Sequence, residues 1–285
     1  YEVADIITPE EIFIFLNKNS ASIDTIFHLG AISSTTETNI DLIVKNNIRF
    51  SIDLWNWCSV EQINFIYASS AATYGNGNEG FNDDDSCDAL ARLLPMNAYG
   101  WSKHLFDRRV AKLVANGAKG PPQWAGLKFF NVYGPNEYHK GSQQSVIPQI
   151  FRQVRENGEA KLFKSHNRNY EDGGQLRDFI WVGDCIDVMM WLFQNREISG
   201  LFNCGTGKAR SFKELAEVVF SSLNKPPKIA YIPTPEGIRA KYQYFTEANI
   251  DRLRSAGYIS QFTPLEIGVK RYVEYLLSND PYINE

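Results

Sequence analysis

A chain of 285 residues with 44% hydrophobic and 22% charged side chains suits one large globular domain, or a large one with a smaller companion. Its net charge of −4 argues against a general binder of nucleic acid or anionic membrane, without excluding one basic pocket for a phosphate-bearing ligand. No apolar run approaches the ~18 residues of a membrane span, no signal-peptide pattern opens the chain, and four scattered cysteines with four isolated histidines offer no metal-ligand spacing, so reduced thiols and a cytoplasmic location are expected.

A short helix is expected near Pro9–Asn17. Ile23–Leu29, an apolar run bounded by turn residues, reads as a strand, and a helix follows from about Glu37 to Ser59. Ile63–Ala68 is the next strand, Ala98–Asn116 the next helix, and Trp124–Val132 a third strand rich in aromatic residues. This alternation predicts a parallel sheet with helices on both faces. Ligands of such sheets sit beyond the carboxyl ends of the strands, which singles out the loops Gly30–Thr36, Ser69–Gly75 and Asn131–Gly141.

After Gly134 the rhythm loosens. Val146–Asn157 reads as a helix, Lys161–Phe163 as a short strand and Arg168–Gln175 as a polar loop. Asp178–Val182 and Leu201–Cys204 are short strands flanking a helix near Asp184–Asn195; a helix over Ser211–Leu223 and a strand over Lys228–Ile232 precede a Pro-rich turn. The expected fold is α/β, a Rossmann-like doubly wound parallel sheet over 1–134 and 178–205, with a smaller C-terminal α/β substrate lobe over 135–177 and 206–285. No G-x-G-x-x-G or G-x-x-G-x-x-G stands near the start, where a dinucleotide fold carries its phosphate-binding turn. Either the protein lacks that turn or this chain has lost its beginning; the second is favoured, since a sheet without its central strands is poorly covered.

Tyr99-Gly100-Trp101-Ser102-Lys103 sets a tyrosine and a lysine one helical turn apart, on the same face. A free tyrosine, with a pKa of about 10, is a poor base at neutral pH. A neighbouring ammonium favours the phenolate and makes proton exchange with a carbinol feasible. The strand before it ends in Ser69-Ser70-Ala71-Ala72-Thr73, placing a serine hydroxyl where it can hydrogen-bond a reacting oxygen. The competing reading of those hydroxyls is a turn that caps the next segment.

These motifs resemble the extended short-chain dehydrogenase/reductases over nearly the whole chain. The resemblance implies that Ser70 and Tyr99 act on the carbinol and that Lys103 also holds the nicotinamide ribose. It further implies that Leu29, Gly30, Ala31, Ile32 and Ser33 form a cofactor loop, supported by Asn46 on the following helix. Gly30 as a plain turn glycine and Asn46 as a helix-surface residue are the alternatives.

A narrower similarity is carried by Ser33-Ser34-Thr35-Thr36-Glu37, Phe130-Asn131-Val132-Tyr133-Gly134-Pro135, His139-Lys140-Gly141-Ser142, Lys161-Leu162-Phe163, Arg177-Asp178-Phe179 and Tyr242-Gln243, in that order. They resemble the ADP-L-glycero-D-manno-heptose 6-epimerases, enzymes of lipopolysaccharide-core precursor synthesis. That resemblance implies an ADP-heptose substrate, a bound NADP (with NAD possible), and a homo-oligomer of pentameric type. It makes Lys140 a second acid/base and, with Val132, a cofactor contact; a solvated surface charge or a phosphate contact is the alternative. Asn131, Ser142 and Gln149 are implied at the sugar, Arg177 and Tyr242 at the diphosphate or sugar, and Phe163, Lys164, Ser165 and His166 at the adenine end. The chain departs from the family pattern at Leu29, where a glutamate is usual, at Gln149, where a histidine is usual, and at Lys164-Ser165-His166, where Glu-Gly-Ser is usual.

The nearest alternatives are another nucleotide-sugar epimerase or a dehydratase of the same extended family. A dehydratase usually carries an acidic residue just after the Ser70 position, where this chain has Ala71 and Ala72. A non-catalytic dinucleotide-binding scaffold is the alternative of another class, and intact Ser70, Tyr99 and Lys103 argue against it.

Overall fold

The computed structural model describes residue 3 and residues 5–239 and 243–278, apart from the side chains of residues 142, 237 and 238. Helix α1 (Ile12–Asn19) leads through a 3-10 turn into strand β1 (Thr25–His28). The next helix starts at Ile40 rather than Glu37, because Glu37 accepts the N–H groups of Thr38 and Asn39 while Asn39 caps Leu42 N–H at 3.0 Å. Helix α2 (Ile40–Ile43) passes through a π-helical stretch (Val44–Arg49) into α3 (Phe50–Glu61).

Strand β2 (Asn64–Ser70), a 3-10 turn (Ala71–Tyr74), and helices α4 (Cys87–Arg92) and α5 (Ala98–Ala115) follow. Then come β3 (Trp124–Phe129), β4 (Asn131–Tyr133), α6 (Val146–Asn157), β5 (Ala160–Phe163), β6 (Leu176–Trp181), α7 (Val182–Gln194) and β7 (Gly200–Cys204). The chain goes on through β8 (Ala209–Ser211), α8 (Phe212–Ser222), β9 (Ile229–Ile232), α9 (Glu236–Arg239), α10 (Asp251–Ser255) and α11 (Leu265–Leu277).

Four parallel strands in the order β1-β2-β3-β7 form the main sheet. Alternation along β2 sends Phe65 and Tyr67 into a core with Leu54, Trp55, Phe106 and Val110 from α3 and α5. Ile66 points the other way, into a core with Val188 and Leu192 of α7. Full burial of each large side chain is worth about 1.5–3 kcal/mol, so both faces are held by helices, as the sequence predicts.

The expected strand Trp124–Val132 is divided. Phe130 N–H donates to Cys204 O at 3.0 Å, and the chain then leaves the main sheet. As β4 it pairs in parallel with β6, which pairs antiparallel with β8. β6 begins two residues before the expected Asp178, because Leu176 pairs with Ser211. A third core joins Ile147, Ile150 and Val154 of α6 with Leu215 and Val219 of α8 and Val269 and Val273 of α11. Helices α4, α9, α10 and α11 and strand β8 are absent from the sequence-based reading. α11 packs closely on β4: a Cβ added at Gly268 would lie 2.1 Å from Tyr133 Oη.

Candidate functional site

The carboxyl tips of β1, β2 and β3 end side by side, with His28 opposite Tyr67 and Ser70 opposite Phe129. The loops Gly30–Thr36 and Ser69–Gly75 leave from this edge, whereas the expected loop Asn131–Gly141 begins as β4 in the second sheet. Ser70, the last residue of β2, accepts Ala72 N–H at 3.1 Å and caps the 3-10 turn. The turn closes at Gly75, whose φ of +63° and close approach to Leu94 O require glycine. Ser70 thus both caps and faces the site; the two readings of its hydroxyl are not exclusive.

Tyr99 and Lys103 stand on the first turns of α5, which Asn97 starts by accepting Gly100 N–H at 2.8 Å. Lys103 is 4% exposed. Burial pulls its ammonium down to about 8, and the Asp107 carboxylate one turn further along opposes that. Burial pushes the Tyr99 phenol above its ordinary value; a hydrogen bond from Ser70 pulls it back, and Asp107 raises it. The effect expected from the sequence, a phenol lowered by its lysine, does not appear: the hydrogen bond with Ser70 is what lowers it, and burial sets the direction.

His28 ends β1, its Nε2 2.8 Å from Ser51 Oγ, and burial next to Lys103 holds it down to about 4, so it is neutral at pH 7. The following loop is pinned by one side chain of the π-helical stretch. Asn47 accepts Ile32 N–H at 2.8 Å, donates to Ile32 O at 3.0 Å, and donates to Ser102 Oγ at 2.9 Å. Asn46 instead donates to Leu42 O on its own helix. The i→i+5 turn brings Asn47, not Asn46, onto the inner face. Leu29 is 46% exposed, and Gly30 has open space where a Cβ would be.

Beyond β3 lies a cleft of about 470 Å³, lined among others by Ser33, Asn131, Val132, Lys140, Gln149 and Phe179. Lys140 is carried by a 3-10 segment (Tyr138–Gln143) between two fixed posts. One post is Glu137, 5% exposed, whose carboxylate accepts Ser145 N–H at 2.6 Å, Ser145 Oγ–H at 2.8 Å and Tyr272 Oη–H at 3.2 Å. The other is Ser145, at the start of α6. Ser33 Oγ and Gln143 Oε1 are 3.3 Å apart, so the loop after β1 touches the Lys140 segment.

Of the other sequence-derived candidates, Asn131, Val132, Lys140, Gln149 and Ser33 share this cleft. Phe163, Lys164, Ser165 and His166 form a separate cluster at the end of β5 and do not line it. There Ser165 N–H donates to Asp172 Oδ1, and His166 Nδ1 lies 2.8 Å from Tyr244 Oη, whose ring is 5.0 Å from that of Tyr170. Arg177 donates to Leu176 O and Gln243 O and lies over the Phe212 ring at 5.7 Å. Tyr242 and the Ser142 side chain lie outside the described residues.

Sequence reasoning passed over Asn47, Glu137, Asp107 and Lys128. Lys128 carried the clearest signal: a lysine within the apolar strand Trp124–Phe129 has to be paired.

The half of the site around Gly30–Ser33, Lys103 and Val132 suits the nicotinamide end of a dinucleotide, with an open loop backbone beside a buried cation. The glycine-rich turn among the described residues, Gly75–Gly80, follows the 3-10 turn after β2 and leads into no helix before Cys87, so it does not form the strand-to-helix turn of a pyrophosphate site.

This chain belongs to the NAD dependent epimerase/dehydratase family, whose model matches residues 2–205. It is 49% identical over 262 residues to the ADP-L-glycero-D-manno-heptose-6-epimerase of Nitratidesulfovibrio vulgaris strain DP4, covering 92% of this chain and 79% of that protein. It is 45% identical over 278 residues to the enzyme of that name from Fusobacterium nucleatum, covering 95% and 82%. The fold also matches the crystal structure of the Helicobacter pylori ADP-L-glycero-D-manno-heptose-6-epimerase, with a TM-score of 0.74 at 28% identity, over 92% of this chain and 76% of that one. With these relatives, the protein is an isomerase of the epimerase type, acting in nucleotide-sugar metabolism.

Proposed function

We propose that this epimerase inverts C6 of an ADP-linked D-glycero-D-manno-heptose, using bound NADP and two acid/bases, Tyr99 and Lys140, in the synthesis of lipopolysaccharide-core precursors. The observation that carries the proposal is the pairing of two proton-transfer groups around adjoining strand tips. Ser70 at the tip of β2 meets Tyr99, Lys103 follows Tyr99 one turn along α5, and Lys140 lines the cleft beyond β3. A simple dehydrogenase needs only the first.

A bound nicotinamide supplies the acceptor, and later the donor, of the two electrons and hydrogen at C6. Tyr99 as phenolate takes the hydroxyl proton while Ser70 hydrogen-bonds the same oxygen and Lys103 stabilises the phenolate. C6 is exocyclic, so rotation about C5–C6 presents the other carbonyl face without release of the sugar. Lys140 as ammonium then protonates the oxygen at its new position. The cycle leaves Tyr99 protonated and Lys140 neutral, and exchange with solvent restores both. Lys103, Lys140, Val132 and the 29–33 loop would hold the nicotinamide end. Asn131, Ser142 and Gln149 would orient the sugar, with Arg177 and Tyr242 serving the diphosphate or sugar and the Phe163–His166 cluster the adenine end. NADP rather than NAD, a homo-oligomer and the division into a 1–134/178–205 core and a 135–177/206–285 lobe belong to the same proposal. In the described residues no helix is long and apolar enough to cross a membrane.

Incubating the protein with NADP and ADP-D-glycero-D-manno-heptose, with UDP- and dTDP-sugars in parallel, tests this. Proton NMR should record inversion at C6 of the heptose alone. Turnover of a UDP- or dTDP-sugar in its place would assign the site to another member of the family.

A further inference from the structure

Beneath the Ser70–Tyr99–Lys103 centre lies a closed polar network that the mechanism above does not use. Lys128 of β3 and Asp107 of α5 form an ion pair of 2.8 Å, and both side chains are fully buried. Each is fully engaged. Asp107 accepts Ser69 Oγ–H at 2.6 Å on one oxygen and Tyr67 Oη–H at 3.1 Å on the other. Lys128 also donates to Thr73 Oγ1 at 2.8 Å and lies 5.0 Å from the centre of the Tyr74 ring. Thr73 in turn donates to Ser70 O at 2.8 Å. A buried ion pair is a poor source of stability, because desolvating two charges offsets most of their attraction. Its placement calls for another account: it lies one helical turn from Lys103 and, through Thr73, two hydrogen bonds from the Ser70 backbone.

We infer that Asp107, held by Lys128, is a positioning residue of this centre: it is the counter-charge of Lys103, and through Lys128 and Thr73 it fixes the turn that carries Ser70. The inference rests on the proposed role of Lys103 beside Tyr99. Burial removes water from Lys103, so some other group must favour its charged form, and Asp107 does so.

The surrounding groups leave that task to Asp107. From β2 it meets Tyr67 and Ser69, and from β3 Lys128. On α5 its charge reaches Tyr99, Lys103 and His104, and in the 3-10 turn Tyr74. His28 faces Lys103 from β1, but burial keeps both His28 and His104 neutral at pH 7. Arg108 adds positive charge near His104. Asp83 feels Lys128 and is answered by Arg252; Asp85 acts on Tyr67 and is paired with Arg252.

The test titrates Lys103 in the full chain by NMR of protein carrying ¹³C-labelled lysine, its signal assigned with Lys103→Met. Asp107→Asn should lower the Lys103 midpoint by about one pH unit. Because Asp107→Asn leaves Lys128 buried without its partner, the Asp107→Asn/Lys128→Met variant is measured beside it, which removes both charges and should also titrate below wild type. Asp107→Glu should restore the wild-type midpoint. In turnover, removing the carboxylate lowers the midpoints of both Tyr99 and Lys103, so the pH–kcat bell moves to lower pH as a whole, which a merely loosened fold would not do. A Lys103 midpoint unchanged in both charge-removing variants overturns the inference. The NMR titration needs no substrate: a shifted midpoint in a protein that ignores ADP-heptose would uphold the role of Asp107 and refute the substrate assignment instead.

Discussion

Replacing Glu137 tests whether the segment carrying Lys140 is held by a buried carboxylate. Glu137→Ala removes the acceptor of Ser145 N–H, of Ser145 Oγ–H and of Tyr272 Oη–H. A hydrogen bond to a charged group is worth about 1.5–3 kcal/mol, and leaving a buried donor unsatisfied costs about 1–3 kcal/mol. Tyr272 is 1% exposed, so water does not replace the carboxylate without rearrangement. The expected loss is about 4 kcal/mol. Glu137→Gln is milder, about 1–2 kcal/mol, because its carbonyl still accepts Ser145 N–H and both hydroxyls turn to accept from the new amide, leaving the long 3.4 Å Gly134 N–H contact without its acceptor.

Urea denaturation of the two variants gives the stability, and amide hydrogen exchange at Ser145 and Lys140 gives the local effect. Glu137→Ala should lose protection at Ser145 N–H and should lower kcat far more than it raises KM, since Lys140 acts on the returning proton. A loss below 1 kcal/mol in Glu137→Ala, with Ser145 still protected, would refute the reasoning.

Tyr99→Phe and Lys140→Ala should each reduce C6 inversion by at least about 100-fold with an unchanged circular dichroism spectrum; full turnover by Lys140→Ala would take that residue out of the mechanism. Lys128→Met alone strands Asp107 and should cost about 3–5 kcal/mol, whereas Asp107→Asn/Lys128→Met should unfold at nearly the wild-type urea concentration. Gly268→Ala should destabilise by about 1–3 kcal/mol through overlap with Tyr133, and adding Tyr133→Phe should recover much of it, because Tyr133 Oη has no hydrogen-bond partner among the described residues to lose. His28 and His104 are both drawn from 6.5 down to about 4 by burial, so the unfolded chain takes up protons that the folded one refuses. Their contribution to stability is complete above pH 6.5 and is lost as pH falls towards 4. His104→Phe should flatten stability across that window, since neither ring nitrogen of His104 has a partner among the described residues; an unchanged slope counts against this assignment.

The parallel sheet and the Ser70, Tyr99 and Lys103 positions were legible in the sequence because they rest on local signals. These are apolar runs ending in hydroxyls and an i, i+4 pair. What escaped depends on partners distant in the chain. Trp124–Val132 reads as one strand, and only the pairing of Asn131 with Phe179 takes its end into another sheet. Asn46 and Asn47 are indistinguishable by type, and the π-helical turn decides which of them reaches Ile32. Glu137 reads as a loop acid until Tyr272, far along the chain, meets it. Lys128 and Asp107 lie on different elements, so a charged residue in each apolar pattern signals a partner without naming it.

The most direct test of the central claim follows the hydrogen at C6. ADP-D-glycero-D-manno-heptose deuterated at C6 is incubated with the protein and NADP in ordinary water, and the product is examined by NMR and mass spectrometry. Removal and return of the same hydrogen at one carbon predicts an inverted product that keeps its deuterium at C6. Inversion with the deuterium exchanged for solvent hydrogen would mean proton abstraction at carbon, and would contradict the account.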